Sequence, residues 1–181
     1  MEKFFEKTIN SKMIYQGKIL NLRKDKVQLP DGNNSQREVI EHSGGVTILP
    51  ITEEGRIVMV KQFRKPAGKV LMELPAGKLE KNETPKDCAW RELREETSFR
   101  AKKLEKICSF YTTPGYSSEK LYLYKASKLS FDESAEPEEG EFIERFYLEP
   151  EKILEYIRSD LIQDGKTLIG LLYFLGVSKN E

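Results

Sequence analysis

Residues 77–99 read GKLEKNETPKDCAWRELREETSF. On a helix turning about 100° per residue, with Glu92 at zero, Glu95 falls at about 300° and Glu96 at about 40°, so three carboxylates share one face. Trp90, Leu93 and Thr97 fall at about 160°, 100° and 140°, a separate stripe able to pack on a core. Thr84 suits the N-cap, Pro85 the first helical position and Asp87 the acid of a capping box, which predicts a helix over 84–97. Three anions near the negative end of that helix repel one another and the dipole, and a bound cation offsets the cost. An isolated acidic pair on a helix is ordinarily a solvated face. The whole pattern, G-x5-E-x7-R-E-L-x-E-E-x-x-F, has a chance occurrence under roughly one in ten thousand at ordinary residue usage, and that decides for chemistry.

Glu92, Glu95 and Glu96 are hard oxygen donors suited to Mg²⁺, which takes about six oxygens and commonly bridges carboxylates to phosphates. Mn²⁺ fits the same set. Gly77 removes a side chain where backbone must approach the metal. Glu83 and Arg91 either orient the metal ligands from behind or form a plain surface ion pair. At a pyrophosphate such a metal neutralises charge and lowers the pKa of a bound water, and a general base completes the activation.

With 181 residues the chain can form one well-cored domain and a small appendage. Basic and acidic residues balance at 30 each, so no overall field draws it to nucleic acid or to an anionic membrane. No apolar run reaches membrane-spanning length, and the start Met-Glu-Lys-Phe-Phe-Glu-Lys lacks the apolar stretch of a signal peptide. Cys88 and Cys108 show no metal-ligand spacing. A reduced, cytoplasmic protein is expected. His42 is the single histidine and reads as a structural strand-end residue.

Strand patterns run from Met13 to Tyr15, from Ile19 to Leu29 and from Arg37 to His42, with a turn at 30–34. Such a three-stranded sheet is too thin to stand alone and is expected to lean on something else, plausibly a second copy of the chain. Further strands are expected at 46–49, 56–62, 104–111, 119–126 and 141–147, and helices at 150–158 and at 164–176 with Asp164 as cap. The acidic stretch Asp132 to Glu141 reads as a solvated loop. Mixed strands and helices imply an α/β or α+β fold, divided into 1–42 and 43–181.

The helical pattern resembles the signature of the Nudix hydrolase family, G-x5-E-x7-R-E-U-x-E-E-x-G-U with U apolar. It departs once, at Ser98, where the family has a glycine that ends the helix. A left-handed serine there costs on the order of 1 kcal/mol. The resemblance implies an α/β/α sandwich with a mixed sheet, preceded by a small N-terminal antiparallel sheet, and it adds the Ala76 carbonyl to the metal ligands. Ser109 to Glu119, with Pro114-Gly115 at its turn, is similar to a catalytic loop of the ADP-ribose pyrophosphatase subfamily, which implies Glu119 as the base or water-positioning group. Arg37 to His42, Lys61 to Arg64, Glu73 to Gly77 and Asp164 to Thr167 extend the likeness. They imply that Arg64 contacts the substrate diphosphate and that Arg37 and Glu38, with Gly77 at the metal-site backbone, help bind substrate. Arg37 reads equally as an ordinary strand charge. The aromatic that stacks on adenine in some members is replaced by Gly17-Lys18-Ile19, with Tyr15 or another subunit as substitute.

The reading is a Mg²⁺-dependent hydrolase that cleaves ADP-ribose to AMP and ribose 5-phosphate, a homodimer with exchanged N-terminal sheets. Alternatives are another nucleoside diphosphate sugar, such as GDP-mannose or ADP-glucose, and a non-catalytic module that senses ADP-ribose.

Overall fold

The computed structural model describes residues 2–136 and 140–177. It divides into two compact units, one made of the chain up to Gly44 together with Tyr111–Lys120, the other of Gly45–Phe110 and the chain from Leu121 onward. Among the described residues no helix is long and apolar enough to cross a membrane.

The first unit is an antiparallel sheet of β1 (Lys7–Gln16), β2 (Leu20–Gln28) and β3 (Asn34–His42), paired in that order. The expected turn closes β2 onto β3: the Gly32 N–H donates to the Leu29 carbonyl at 2.9 Å and the Asn33 N–H to Asp31 Oδ1 at 3.0 Å. β1 begins at Lys7 rather than Met13. The segment Lys7 to Lys12 is polar but for Ile9 and carries no apolar alternation, because every residue of β1 is exposed and neither face selects hydrophobic side chains. The buried residues of this sheet are Asp25, which accepts a 2.6 Å hydrogen bond from the Ser11 hydroxyl, and Val27.

The second unit contains β4 (Gly45–Pro50), β5 (Ile57–Arg64), β6 (Lys69–Glu73), β7 (Ala76–Lys78), α1 (Pro85–Thr97), most of β8 (Phe99–Tyr111) and β9 (Lys120–Phe131), β10 (Ile143–Leu148), α2 (Ile153–Arg158) and α3 (Gly165–Val177). One sheet has the order β7-β4-β9-β8 and the other β10-β5-β6. β4 is buried along its whole length and pairs parallel with β9 and antiparallel with β7, so the first sheet is mixed. Successive strand residues face opposite sides, and the core divides accordingly. Val46, Ile48, Tyr124 and Ala126 pack with Cys88, Ala89 and Leu93 of α1, while Leu49 and Leu123 join Ile57, Met59, Leu74, Leu148, Ile153, Ile162 and Leu171 on the other side. This is the expected sandwich, with α1 on one face and α2, α3 and the second sheet on the other.

Two strands escape a reading by periodicity. β6 is five residues long and returns from β5 through the turn at 65–68, and β7 has three residues, too few to show a period. The packing stripe of α1 also differs from expectation: Cys88 and Ala89 join Leu93 and Thr97 in the interior, whereas Trp90 is only half-buried. The acidic stretch is anchored at its start, where Asp132 accepts from Arg94 and from Arg100 at 2.7 Å each. Residues 137–139 of that stretch lie outside the described residues.

Both ends of α1 follow the local code. The Thr84 hydroxyl accepts from the Asp87 N–H at 3.2 Å and donates to the Asp87 carboxylate at 2.6 Å. Ser98 stands in the left-handed region at φ 56° and ψ 27°, its N–H donating to the Arg94 carbonyl at 2.9 Å. Replacing Ser98 by glycine is expected to stabilise the fold by about 0.5–1 kcal/mol, measured by urea unfolding. A loss of stability would show that Ser98 holds its conformation without strain.

Candidate active site

α1 lays its acidic face against β7, and both inner carboxylates are buried, Glu92 at 6% and Glu96 at 9% exposure. The Ala76 N–H donates to Glu96 Oε2 at 2.9 Å. Gly77 is bare where Glu92 arrives: a Cβ built there would lie 1.7 Å from Glu92 Oε1. A side chain at this strand position would push the Glu92 carboxylate from the place where Arg91 holds it.

Arg91 knits the remaining acids. Its Nε and Nη2 donate to Glu83 at 2.9 and 3.0 Å, and its Nη1 donates to Glu92 at 2.6 Å and to Glu95 at 3.0 Å. Nη2 also donates to the Lys78 carbonyl at 3.2 Å, tying the helix to β7. Among the described residues no three acidic, histidine or cysteine side chains are already drawn together as a metal cage. Glu92 and Glu95 meet at Arg91, and Glu96 turns to the Ala76 backbone.

Charge is not balanced here. Three carboxylates, Glu83, Glu92 and Glu95, share one guanidinium, and the two most buried acids of the face, Glu92 and Glu96, suffer most. Burial pushes Glu96 up to about 8 and Glu92 up to about 7, against an ordinary 4.5, the Arg91 charge offsetting only part of the cost at Glu92. Glu83, held by Arg91, is lowered to about 2. A divalent cation fits this donor set of hard oxygens, and Glu92, Glu95 and Glu96 would hold it, the first two in exchange for their contacts with Arg91. The buried Cys88 thiol beside them is pushed far up by burial and offers no nucleophile.

A second network lies in the same unit. Glu73, at the end of β6, is 1% exposed and accepts from Arg64 Nε and Nη2 at 2.8 Å each and from Lys166. Burial alone would raise its pKa, but Arg64 and Lys166 outweigh it and the carboxyl is held below the ordinary range. Lys166 also pairs with Asp164 at 3.0 Å. Asp164 is the expected cap of α3, accepting from the Thr167 N–H at 3.0 Å and from its hydroxyl at 2.6 Å, while Thr167 Oγ1 accepts from the Leu74 N–H at 2.8 Å. Sequence reasoning assigned no role to Glu73 or Lys166. The signal was the acid directly before Leu74-Pro75-Ala76-Gly77, a strand-end position where an acid stays buried only if paired.

Glu119, Arg37 and Glu38 belong to the other unit. Arg37 forms a fork with Glu6 at 2.9 and 2.6 Å, and Glu38 is exposed on β3 opposite Lys24. The loop carrying Glu119 is fastened to β3: Ile40 N–H to the Tyr116 carbonyl at 2.7 Å, Ser118 N–H to the Ile40 carbonyl at 2.9 Å, and His42 N–H to Ser118 Oγ at 3.0 Å. Glu119 accepts from the Thr112 hydroxyl at 2.6 Å, and one of its oxygens stands 3.6 Å from His42 Nδ1. Tyr15 is exposed, with its ring over Gly17.

Comparison with known proteins agrees with this arrangement. The model of the NUDIX domain matches residues 41–166, and that of the nucleoside diphosphate sugar hydrolase N-terminal domain matches residues 6–40. An ADP-ribose pyrophosphatase of Bacillus subtilis (strain 168) is 44% identical over 174 residues, covering 96% of this chain and 94% of its own. A methanol dehydrogenase activator of Bacillus methanolicus is 44% identical over 171 residues, covering 94% and 92%. The crystal structure of an ADP compounds hydrolase superposes with a TM-score of 0.85 over 97% of this chain and 95% of that one, at 17% identity, which speaks to the fold.

The raised pKa values have a direct consequence for stability. Between about 4.5 and 8 the folded chain holds protons on Glu92 and Glu96 that the unfolded chain has released, so their contribution is full below about 4.5 and is lost as pH rises through that window. In chelator, Tm is expected to fall from about pH 5 to about pH 8, Glu96→Gln to flatten that slope, and added Mg²⁺ to raise Tm more at the alkaline end. A slope unchanged by Glu96→Gln would contradict this charge accounting.

Proposed function

The chain belongs to the Nudix hydrolase family, and from that premise we propose that it hydrolyses the diphosphate of ADP-ribose, with Mg²⁺ or Mn²⁺, to AMP and ribose 5-phosphate. The observation that carries the reading is the pair of buried, under-compensated carboxylates, Glu92 and Glu96, held against the β7 backbone at Ala76 and Gly77. The names of the Bacillus subtilis relative and of the matched N-terminal domain support the substrate class.

Glu92, Glu95, Glu96 and the Ala76 carbonyl would hold the metal, which when bound neutralises phosphate charge and acidifies a coordinated water. Glu83 sets the guanidinium of Arg91, and Arg91 sets Glu92 and Glu95. Glu119 accepts the proton of the attacking water as its oxygen bonds to phosphorus and the bridging phosphoanhydride oxygen leaves with the other product. The Thr112 hydroxyl occupies one oxygen of Glu119, and the other stands 3.6 Å from His42 Nδ1. Arg64 binds a diphosphate oxygen, for which a guanidinium fork is suited. Arg37 and Glu38 serve the adenosine or ribose from β3.

Residues 1–42 form the subdomain for dimerisation and substrate binding, and 43–181 the hydrolase domain. Along β1 the apolar side chains Ile9, Met13, Ile14 and Tyr15 are about half exposed, surface that a second copy with an exchanged sheet would cover. Cys88 and Cys108 are free thiols, which fits the reducing cytoplasm.

The deciding assay is a panel of ADP-ribose, ADP-glucose and GDP-mannose scored by kcat/KM with each metal. ADP-ribose is expected to lead, and absence of turnover would favour a sensor. Glu119→Gln is expected to lower kcat by about 10²- to 10⁴-fold with KM little changed, the size of a lost general base. A loss confined to KM would make Glu119 a binding residue. Light scattering at micromolar concentration is expected to give twice the chain mass, and a monomer would remove the dimer.

A further inference from the structure

The network around Glu73 has no part in holding a metal and none in activating water, yet at its centre lies the most deeply buried charged residue among those described. Glu73 is 1% exposed, the Lys166 side chain 12% and the Asp164 side chain 18%. Arg64, by contrast, is more than a third exposed at 37%, so the network runs from the interior outward and ends at a guanidinium. The contacts are directional. Arg64 spends Nε and Nη2 on the two oxygens of Glu73, a fork that fixes the plane of the guanidinium and leaves the Nη1 edge pointing away from the carboxylate. Lys166 shares Glu73 Oε2 with Arg64 and is in turn held by Asp164, which caps α3.

We propose that Lys166 and Glu73 are positioning residues for Arg64: Glu73 orients the guanidinium toward a phosphate oxygen of the substrate, and Lys166 keeps that carboxylate ionised and in place without taking the guanidinium from it. The inference rests on the assignment of Arg64 to the diphosphate.

The reasons are physical. A free arginine side chain samples many rotamers, and binding to a pre-set fork loses less of that entropy. A carboxylate buried as deeply as Glu73 stays charged only when strongly paired, and here two cations share one anion. With Lys166 removed, Arg64 is the one cation left in the network beside Glu73 and Asp164, and its charge is then less available to an incoming anion. The same group of residues bears on the metal side: Thr167 anchors the Leu74 N–H two residues before Ala76, so the sequence Asp164-Gly165-Lys166-Thr167 holds both the phosphate arginine and the strand that meets Glu96.

The test uses the full chain and two readouts. In ¹H–¹⁵N spectra the Arg64 Nε–H, assigned by its loss in Arg64→Lys, is expected as a sharp resonance in the natural protein, shifted or broadened in Glu73→Gln and Lys166→Met, and recovered in Lys166→Arg. In kinetics with ADP-ribose, Lys166→Met is expected to raise KM about tenfold with kcat within about twofold, and to add nothing further once Arg64 is alanine. An unchanged Arg64 resonance in Lys166→Met, or an equal rise in KM with and without Arg64, overturns the proposal. If Lys166→Met does not fold, Glu73→Asp, which keeps the charge and shortens its reach, must shift the same resonance or the proposal fails. Absence of ADP-ribose turnover by the natural protein sinks the substrate reading alone, because the resonance still reports on the positioning.

Discussion

Glu92 occupies the space that any side chain at Gly77 would need. With that carboxylate packed on the bare strand, α1 lies close to β7, and the arrangement of the acids in the second unit goes with this packing. The helix can approach the strand so closely because its other side is made of the small residues Cys88 and Ala89 with Leu93, packed on Val46 and Ile48 of the fully buried β4. It stops in register because Glu96 accepts the Ala76 N–H and Arg91 donates to the Lys78 carbonyl, one contact at either end of the three-residue strand. Two carboxylates are thereby forced out of water, and the fold bears that cost for a place where charge is wanted.

The two ion networks of this unit differ in composition. At Arg91 one cation serves Glu83, Glu92 and Glu95, and the acids are in surplus. At Glu73 the buried anion serves Arg64 and Lys166, Lys166 is also paired with Asp164, and the charges balance with Arg64 at the exposed end. An excess of buried carboxylate calls for a metal ion, and a fixed, outward-facing guanidinium calls for an anion. A metal complex of a diphosphate answers both demands, which is why the same unit can be read as a hydrolase of such substrates without appeal to overall charge.

Much of this was legible in residue order, and the reasons for the rest are specific. The helix, its Thr84 cap, the left-handed Ser98 and the pairing of Glu83 with Arg91 are local, set within a few residues of each other. The main strand β4 and the first half of β5 showed as apolar runs because they are buried. β1 did not show its full length, since a strand exposed on both faces has no pattern to display, and β6 and β7 are too short to have one. The Glu73 network was hidden for another reason. Its members are nine and ninety-three residues apart, and only the folded chain brings Arg64 and Lys166 to one carboxylate. Likewise, the Pro114-Gly115 turn announces a loop, but nothing in its letters announces that β3 will hold it by backbone hydrogen bonds.

The acid surplus on α1 takes a divalent cation in exchange for the Arg91 contacts of Glu92 and Glu95. Crystals of the protein grown with Mn²⁺ and measured at the manganese absorption edge are expected to show an anomalous peak within bonding distance of Glu92 and Glu96, with the Arg91 guanidinium withdrawn from Glu92 and still paired with Glu83. Crystals soaked in Mn²⁺ that keep the Arg91–Glu92 contact and show no peak at α1 would refute the exchange.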